Sequence, residues 1–201
     1  MGHAKSVKSC DRELVQIVDA ALADSARRSG EWLACRPGCT QCCIGVFAIS
    51  QLDASRLREG LGELDRRDRP RADRIRRRAR AAVRRLKATF PGDAGSGILD
   101  QDEAEFEGFA NDEPCPVLDP STGMCDLYAA RPMTCRVFGP PVRSEGGLGV
   151  CELCFHGATP EQIEACELHL DGSEVEEQLN ARVARNTGKK GDTIVAFALG
   201  L

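Results

Sequence analysis

The chain has 201 residues and a formal net charge of −4, with 42% apolar and 29% charged residues. That balance belongs to a globular protein, and it excludes a collagen-like or wholly disordered chain. No apolar run approaches the ~20 residues that span a bilayer, so no membrane partner is expected. Lys5, Lys8, Asp11, Arg12 and Glu13 interrupt the stretch where a secretory signal would need an apolar core, which predicts a cytoplasmic protein.

Aromatic residues are scarce, with seven Phe, one Trp and one Tyr, so the core must come from Leu, Val, Ile and Ala and will be thin. Against this stand eleven cysteines. In a reducing compartment such a density signals metal or redox chemistry more often than disulfides.

Leu14, Ile17, Val18, Ala21 and Leu22 recur at helical spacing and predict a first helix from about Ser9 to Arg28, with Gly30 as its stop. The segment CRPGCTQCC follows, from Cys35 to Cys43, and Pro37 and Gly38 make its start a loop. A short apolar stretch, Ile44 to Ile49, leads to Ser50. Ser50 with Asp53 has the spacing of a capping box and opens a second helix over Gln51 to Glu59.

Residues Asp65 to Lys87 hold twelve Arg or Lys against three Asp, a local net of +9 that leaves −13 for the remainder. Beneath these charges Ala72, Ile75, Ala79, Ala82, Val83 and Leu86 form one apolar face, and Pro70 suits the first turn of this third helix. Pro91 to Glu113, rich in Gly and acidic residues, reads as a loop or poorly ordered linker. Pro114 to Cys154 is dense in Pro and Gly and reads as turns and short extended pieces. Thr159, Pro160 and Gln162 predict a capped fourth helix, and Ser173 with Glu176 a fifth that ends near Asn186 to Gly188. Thr193 to Leu199 is apolar and suits a short strand or a buried tail.

Two cysteines, Cys10 and Cys166, are solitary and fit small core residues or free thiols. The other nine, Cys35, Cys39, Cys42, Cys43, Cys115, Cys125, Cys135, Cys151 and Cys154, fall into two sets separated by the Arg-rich helix and the acidic stretch. Cys39-x2-Cys42 and Cys151-x2-Cys154 have chelating spacing, and the x3 gap from Cys35 to Cys39 is compatible with it. Cys42 and Cys43 are adjacent, and neighbours rarely aim both side chains at one ion. They imply one ligand plus a spare thiol, or two metals close together.

Nine is an odd number for a disulfide framework, and the c-type haem pattern fails because Phe155 separates Cys154 from His156. Four thiolates suit zinc, and equally a 2Fe–2S or 4Fe–4S cluster. Soft all-sulfur ligation disfavours Mg, Ca and Mn. Of the three histidines, His156 is a possible substitute ligand, His169 suits a helix end, and His3 lies in the N-terminal stretch.

Three motifs in order then resemble the YkgJ-type cysteine-cluster family, described as zinc- or iron-chelating. They are CRPGCTQCC at Cys35–Cys43, CPVLD at Cys115–Asp119, and MCDLYAARPMTCRVF at Met124–Phe138. The last is the most specific, through Cys125, Tyr128, Arg131, Pro132, Cys135 and Arg136. The resemblance implies a metal site. A related cluster in flagellin lysine-N-methylase implies that an iron–sulfur centre and a metal-dependent enzyme are alternatives here, although this chain is much shorter.

Independently of the family, Arg131 and Arg136 flank Cys135, where guanidinium groups would offset the negative charge of a thiolate set and donate to sulfur. Tyr128 is expected to pack beside the cluster, and Trp32 to serve as a lid or core anchor. Arg131, Arg136 and Tyr128 are thus the expected cofactor-contacting side chains.

The expected architecture is mainly α. It is one small domain over residues 1–201, with an irregular, loop-rich cysteine centre stapled by metal and residues 60–113 inserted as an Arg-rich helix plus acidic linker. The expected cofactor is an iron–sulfur cluster or zinc, serving electron transfer, sensing or structure. Nucleic acid is disfavoured by the overall charge and by the lack of aromatics in the Arg block. The block instead suits a solvated face or one docked on Asp100 to Glu113. A zinc-stapled nucleic-acid or protein interaction module remains an alternative, with the protein partner unknown. Radical chemistry on the Cys35, Cys39, Cys42 triplet is a further possibility of spacing alone. No dinucleotide fingerprint, P-loop or HExxH is present.

Overall fold

The computed structural model describes residues 6–100, 106–144, 146–170 and 173–201. The expectations for His3, for residues 101–105 of the acidic stretch and for the side chain of Ser173 lie outside the described residues. The protein is mainly α, with seven α-helices and three two-stranded antiparallel hairpins among the described residues. Its chain gathers into two compact units. The first comprises Met1–Arg36 and Met133–Arg182, the second Pro37–Pro132 and Val183–Leu201.

In the first unit, α1 (Val7–Ser29) starts at Ser6, whose hydroxyl accepts from the Ser9 amide at 3.2 Å, and ends at Gly30 with φ +50°. The helix begins slightly earlier than the periodicity indicates because the cap, not the first apolar residue, sets its start. Leu14 and Val18 are buried, whereas Ile17 is 43% exposed. The short α4 (Met133–Val137) carries Arg136, whose Nη1 donates to Asp19 of α1 at 2.8 Å.

The hairpin β5–β6 (Val142–Ser144 with Gly147–Gly149) follows, then α5 (Pro160–Glu164) with the full Thr159–Gln162 capping box, and after it α6 (Ser173–Thr187), the predicted fifth helix. The carbonyls beyond α5 have no further helical turn to bond. Arg28 of α1 donates to the carbonyls of Ala165 and Glu167, and Ser25 Oγ donates to that of Cys166 at 2.6 Å.

The second unit is built on α2 (Gln51–Arg67), α3 (Arg69–Leu86) and α7 (Val195–Gly200), which pack on one another. Ser50 Oγ accepts from the Asp53 amide, so α2 opens where expected, but it runs eight residues past Glu59. Leu57, Leu61 and Leu64 continue its buried stripe to the end, and Asp68 immediately caps α3. The apolar face of α3 is buried as its spacing requires, with Ile75 and Ala79 fully so.

Two readings need correction. Pro91 to Glu113 is not simply a loop, for β1 and β2 (Gly92–Asp93 with Ile98–Leu99) pair within it, and Leu99 and Phe109 are buried. Phe90 stacks on Phe197 with centroids 4.2 Å apart and meets Phe109 edge-on at 6.0 Å. A few well-placed aromatics thus override a weak sequence period. Thr193 to Leu199 is largely buried, as the tail reading expected, but from Val195 on it is a helix and not a strand. Thr193 exchanges both backbone hydrogen bonds with Ile49, and the chain then winds into the buried α7. A Cβ at Gly200 would stand 3.0 Å from the Ala79 carbonyl, so small residues let α7 lie directly on α3.

Candidate metal centre

Within the second unit three short segments bring cysteines together. Gln41–Cys43 forms one 3-10 turn, closed by the Cys43 amide donating to the Thr40 carbonyl at 2.8 Å. The Cys115 amide donates to the Cys43 carbonyl at 2.8 Å and the Gly45 amide to the Glu113 carbonyl at 3.0 Å, which clamps the two strands of chain side by side. The third segment is the hairpin β3–β4 (Leu118–Asp119 with Met124–Cys125), where Cys125 faces Leu118. Its turn uses Gly123 at φ +68°, close enough to Gly38 that a Cβ there would sit 3.4 Å from the Gly38 carbonyl oxygen. Backbone contact therefore seats the CRPGC loop, which bears the half-buried Cys39, on the Cys125 hairpin.

The electrostatics tie four thiols into one set. The Cys43 thiol donates to Cys42 and holds the Cys42 thiol down to about 6, with the Arg131 cation acting in the same direction. That same donation, then burial, pushes the Cys43 thiol up, and the nearby Cys42, Cys115 and Cys125 add to the rise. Burial pushes Cys115 up to about 12. Burial also raises Cys125, and Arg131 opposes it. Cys42 is thus the readiest of the four to ionise, while Cys43, Cys115 and Cys125 resist losing their protons until a cation arrives to share the charge. Among the described residues no three His, Cys, Asp or Glu side chains are gathered as a finished ion cage. What fits a zinc ion or iron–sulfur cluster is the donor chemistry, four mutually interacting soft thiols with a guanidinium beside them.

Arg131 is placed by its own turn. Its guanidinium lies 3.6 Å from the Tyr128 ring centroid, its Nε donates to the Tyr128 carbonyl at 3.0 Å, and its carbonyl accepts from Arg56. Tyr128 itself is 59% exposed, so its role is to support Arg131 from outside rather than to pack as a buried neighbour. The turn over residues 128–130 sits tightly on α2. A Cβ at Gly60 would meet the Ala130 Cβ at 2.4 Å.

Asp126 escapes sequence reasoning. Its carboxylate is 1% exposed and takes hydrogen bonds from Arg71 and Arg78. Arg78 Nε also donates to the Pro116 carbonyl at 2.8 Å. One residue of α3 thereby holds the neighbour of Cys115 and the neighbour of Cys125. The signal was present in two places. Asp126 directly follows a candidate ligand, and Arg71 and Arg78 are seven apart, on one face of a helix rich in unbalanced cations.

The remaining candidate ligands belong to the first unit. Cys35 presses its Sγ on Gly139, where a Cβ would be only 2.6 Å away, and the Cys151 amide donates to the Gly139 carbonyl at 3.4 Å. Cys151 and Cys154 close one turn and are buried with Cys166, Phe155, Leu33 and Phe138. Cys135 lies half-buried on α4. The early quartet is thus divided, with Cys35 in the first unit and Cys39, Cys42 and Cys43 in the second. The two arginines divide likewise, since Arg136 bonds Asp19 in the first unit and Arg131 serves the thiols of the second. His156 and the 36%-exposed Trp32 line an open cavity of about 590 Å³ in the first unit, so Trp32 is not a core anchor. None of the eleven cysteines is joined in a disulfide.

Together these features define a mainly α protein whose second unit crowds soft cysteine thiols. The chain belongs to the CxxCxxCC family, whose description reads "Putative zinc- or iron-chelating domain" and whose model matches residues 34–155. That span runs from the residue before Cys35 to the residue after Cys154. Neither a curated protein nor a solved structure matches the chain. No helix among the described residues is long and apolar enough to cross a membrane.

Proposed function

We propose that the second unit holds an iron–sulfur cluster through Cys42, Cys43, Cys115 and Cys125, with Cys39 as a reserve donor, and that this centre serves electron transfer or sensing. One observation carries the choice of cluster. Cys42 and Cys43 share one 3-10 turn that is clamped to Cys115, and their thiols interact with each other and with Cys115 and Cys125 as one crowded set. A single tetrahedral ion fits two adjacent residues poorly, whereas a centre with several iron atoms offers each thiolate its own metal. The half-buried position of all these cysteines favours exchange with a partner over a sealed structural staple. Arg131 supports the net negative charge of such a centre.

The test is anaerobic purification followed by iron, sulfide and zinc analysis and visible spectra. The expected protein is brown, with iron and sulfide in equal amounts, and bleaches reversibly on reduction. Cys42→Ser and Cys115→Ser lose iron, whereas Cys10→Ser keeps it. A colourless protein with stoichiometric zinc would retain chelation but overturn the cluster reading.

A further inference from the structure

The cations of α3 are sorted into rows. Arg71, Arg78 and Arg85 stand seven residues apart, and their carboxylate partners are Asp126, Asp126 and Glu113. A second row, Arg77, Arg80, Arg84 and Lys87, repeats at spacings of three, four and three, and every member is exposed. Among the described residues no carboxylate pairs with any of the four. The same helix thus has its cations engaged on one flank and, among the described residues, without carboxylate partners on the outer face.

Such a row is not what a helix needs for its own stability. Like charges three and four residues apart oppose helix formation, and a glutamate at alternate sites would relieve them. After Asp73 the helix contains none. Arginine is also the cation suited to forked hydrogen bonds with phosphate. From Arg77 to Lys87 the helix rises about 15 Å, a length over which one duplex strand presents four to five phosphates at about 3.4 Å each.

We propose that the outer row of α3 binds the sugar–phosphate backbone of a nucleic-acid duplex without reading its sequence. The overall charge of −4 made this unattractive from composition, but the structure keeps these four charges clear of the acidic groups that neutralise the inner row. The row carries no large apolar side chain to enter a bilayer, and no aromatic on which unpaired bases would stack. Both absences favour duplex phosphate over a lipid surface or a single strand.

The experiment is fluorescence anisotropy of the full-length, metal-loaded protein with a labelled 24-base-pair DNA duplex of mixed sequence and the matching RNA duplex, across a salt series. Four phosphate contacts predict a log–log salt slope near −3.6, or about 150-fold weaker binding at 200 mM than at 50 mM salt. The variant with Arg77→Gln, Arg80→Gln, Arg84→Gln and Lys87→Gln should bind at least about tenfold more weakly at low salt, with a shallow slope. A control removing charges elsewhere, Arg12→Gln with Arg185→Gln and Lys190→Gln, should stay near the parent. Circular dichroism confirms that both keep their helix content, and the single Arg80→Glu serves if the fourfold variant does not fold. Equal binding by the outer-row variant and the control would overturn the proposal. So would binding only to phosphatidylserine vesicles or to polyglutamate.

Discussion

Cys42 and Arg131 show how a single side chain acquires its chemistry from neighbours. A thiol ordinarily stays protonated at neutral pH, and Cys42 is drawn toward thiolate by the Cys43 proton and the Arg131 cation. Gly60 is the quiet counterpart, because the absence of its Cβ lets the turn bearing Arg131 lie on α2. Gly60→Ala should displace that turn. The expected result is a loss of about 1–3 kcal/mol in chemical denaturation, together with weaker metal retention in a chelator competition. Asp126→Asn should leave Arg71 and Arg78 without their shared carboxylate, costing about 1–3 kcal/mol, and loosen both Cys115 and Cys125. Unchanged metal affinity in that variant would mean the Arg–Asp contacts do not position the thiols.

At the scale of elements, α3 performs two tasks with two faces. Its inward stripe is core, and Ile75→Ala should destabilise the protein by about 2–5 kcal/mol, read from the urea midpoint. Its inner flank is a truss for the cysteine loops. In the first unit Arg143 of β5 reaches Glu167 and Glu164 beyond and within α5. The Arg143 guanidinium holds the Glu167 carboxyl below its usual range. A depressed folded-state value means the contact stabilises at neutral pH. That contribution fades as pH falls below the ordinary carboxylate range near about 4.3. Glu167→Gln should therefore flatten this part of the acid-side stability curve in pH-dependent denaturation, and an unaltered curve would show that the pair contributes nothing.

For the whole molecule, the chelating family and the crowded thiols outside any disulfide point to metal as a source of folding energy. Binding to the folded form alone adds about 4 kcal/mol when free ligand exceeds its dissociation constant a thousandfold. Stripping metal with a chelator should lower the thermal midpoint by several degrees, and adding metal back should restore it. The same midpoint before and after stripping would show that metal does not contribute to folding.

Much of this was legible in one dimension. Helix starts at Ser50 and Thr159, the buried stripe of α3 and the order of the cysteine motifs are local patterns, fixed by hydrogen-bonding geometry within a turn or by the helical period. They sufficed for a mainly α protein of the chelating family. The partners of charges and thiols were not legible, because they depend on contacts between segments far apart along the chain. Nothing local distinguishes Arg78, which holds Asp126, from Arg77, which has no carboxylate partner among the described residues, or assigns Arg131 to the thiols and Arg136 to Asp19. Tertiary packing decided those roles, since electrostatic and hydrogen-bond energies depend on distances in space that residue spacing does not encode.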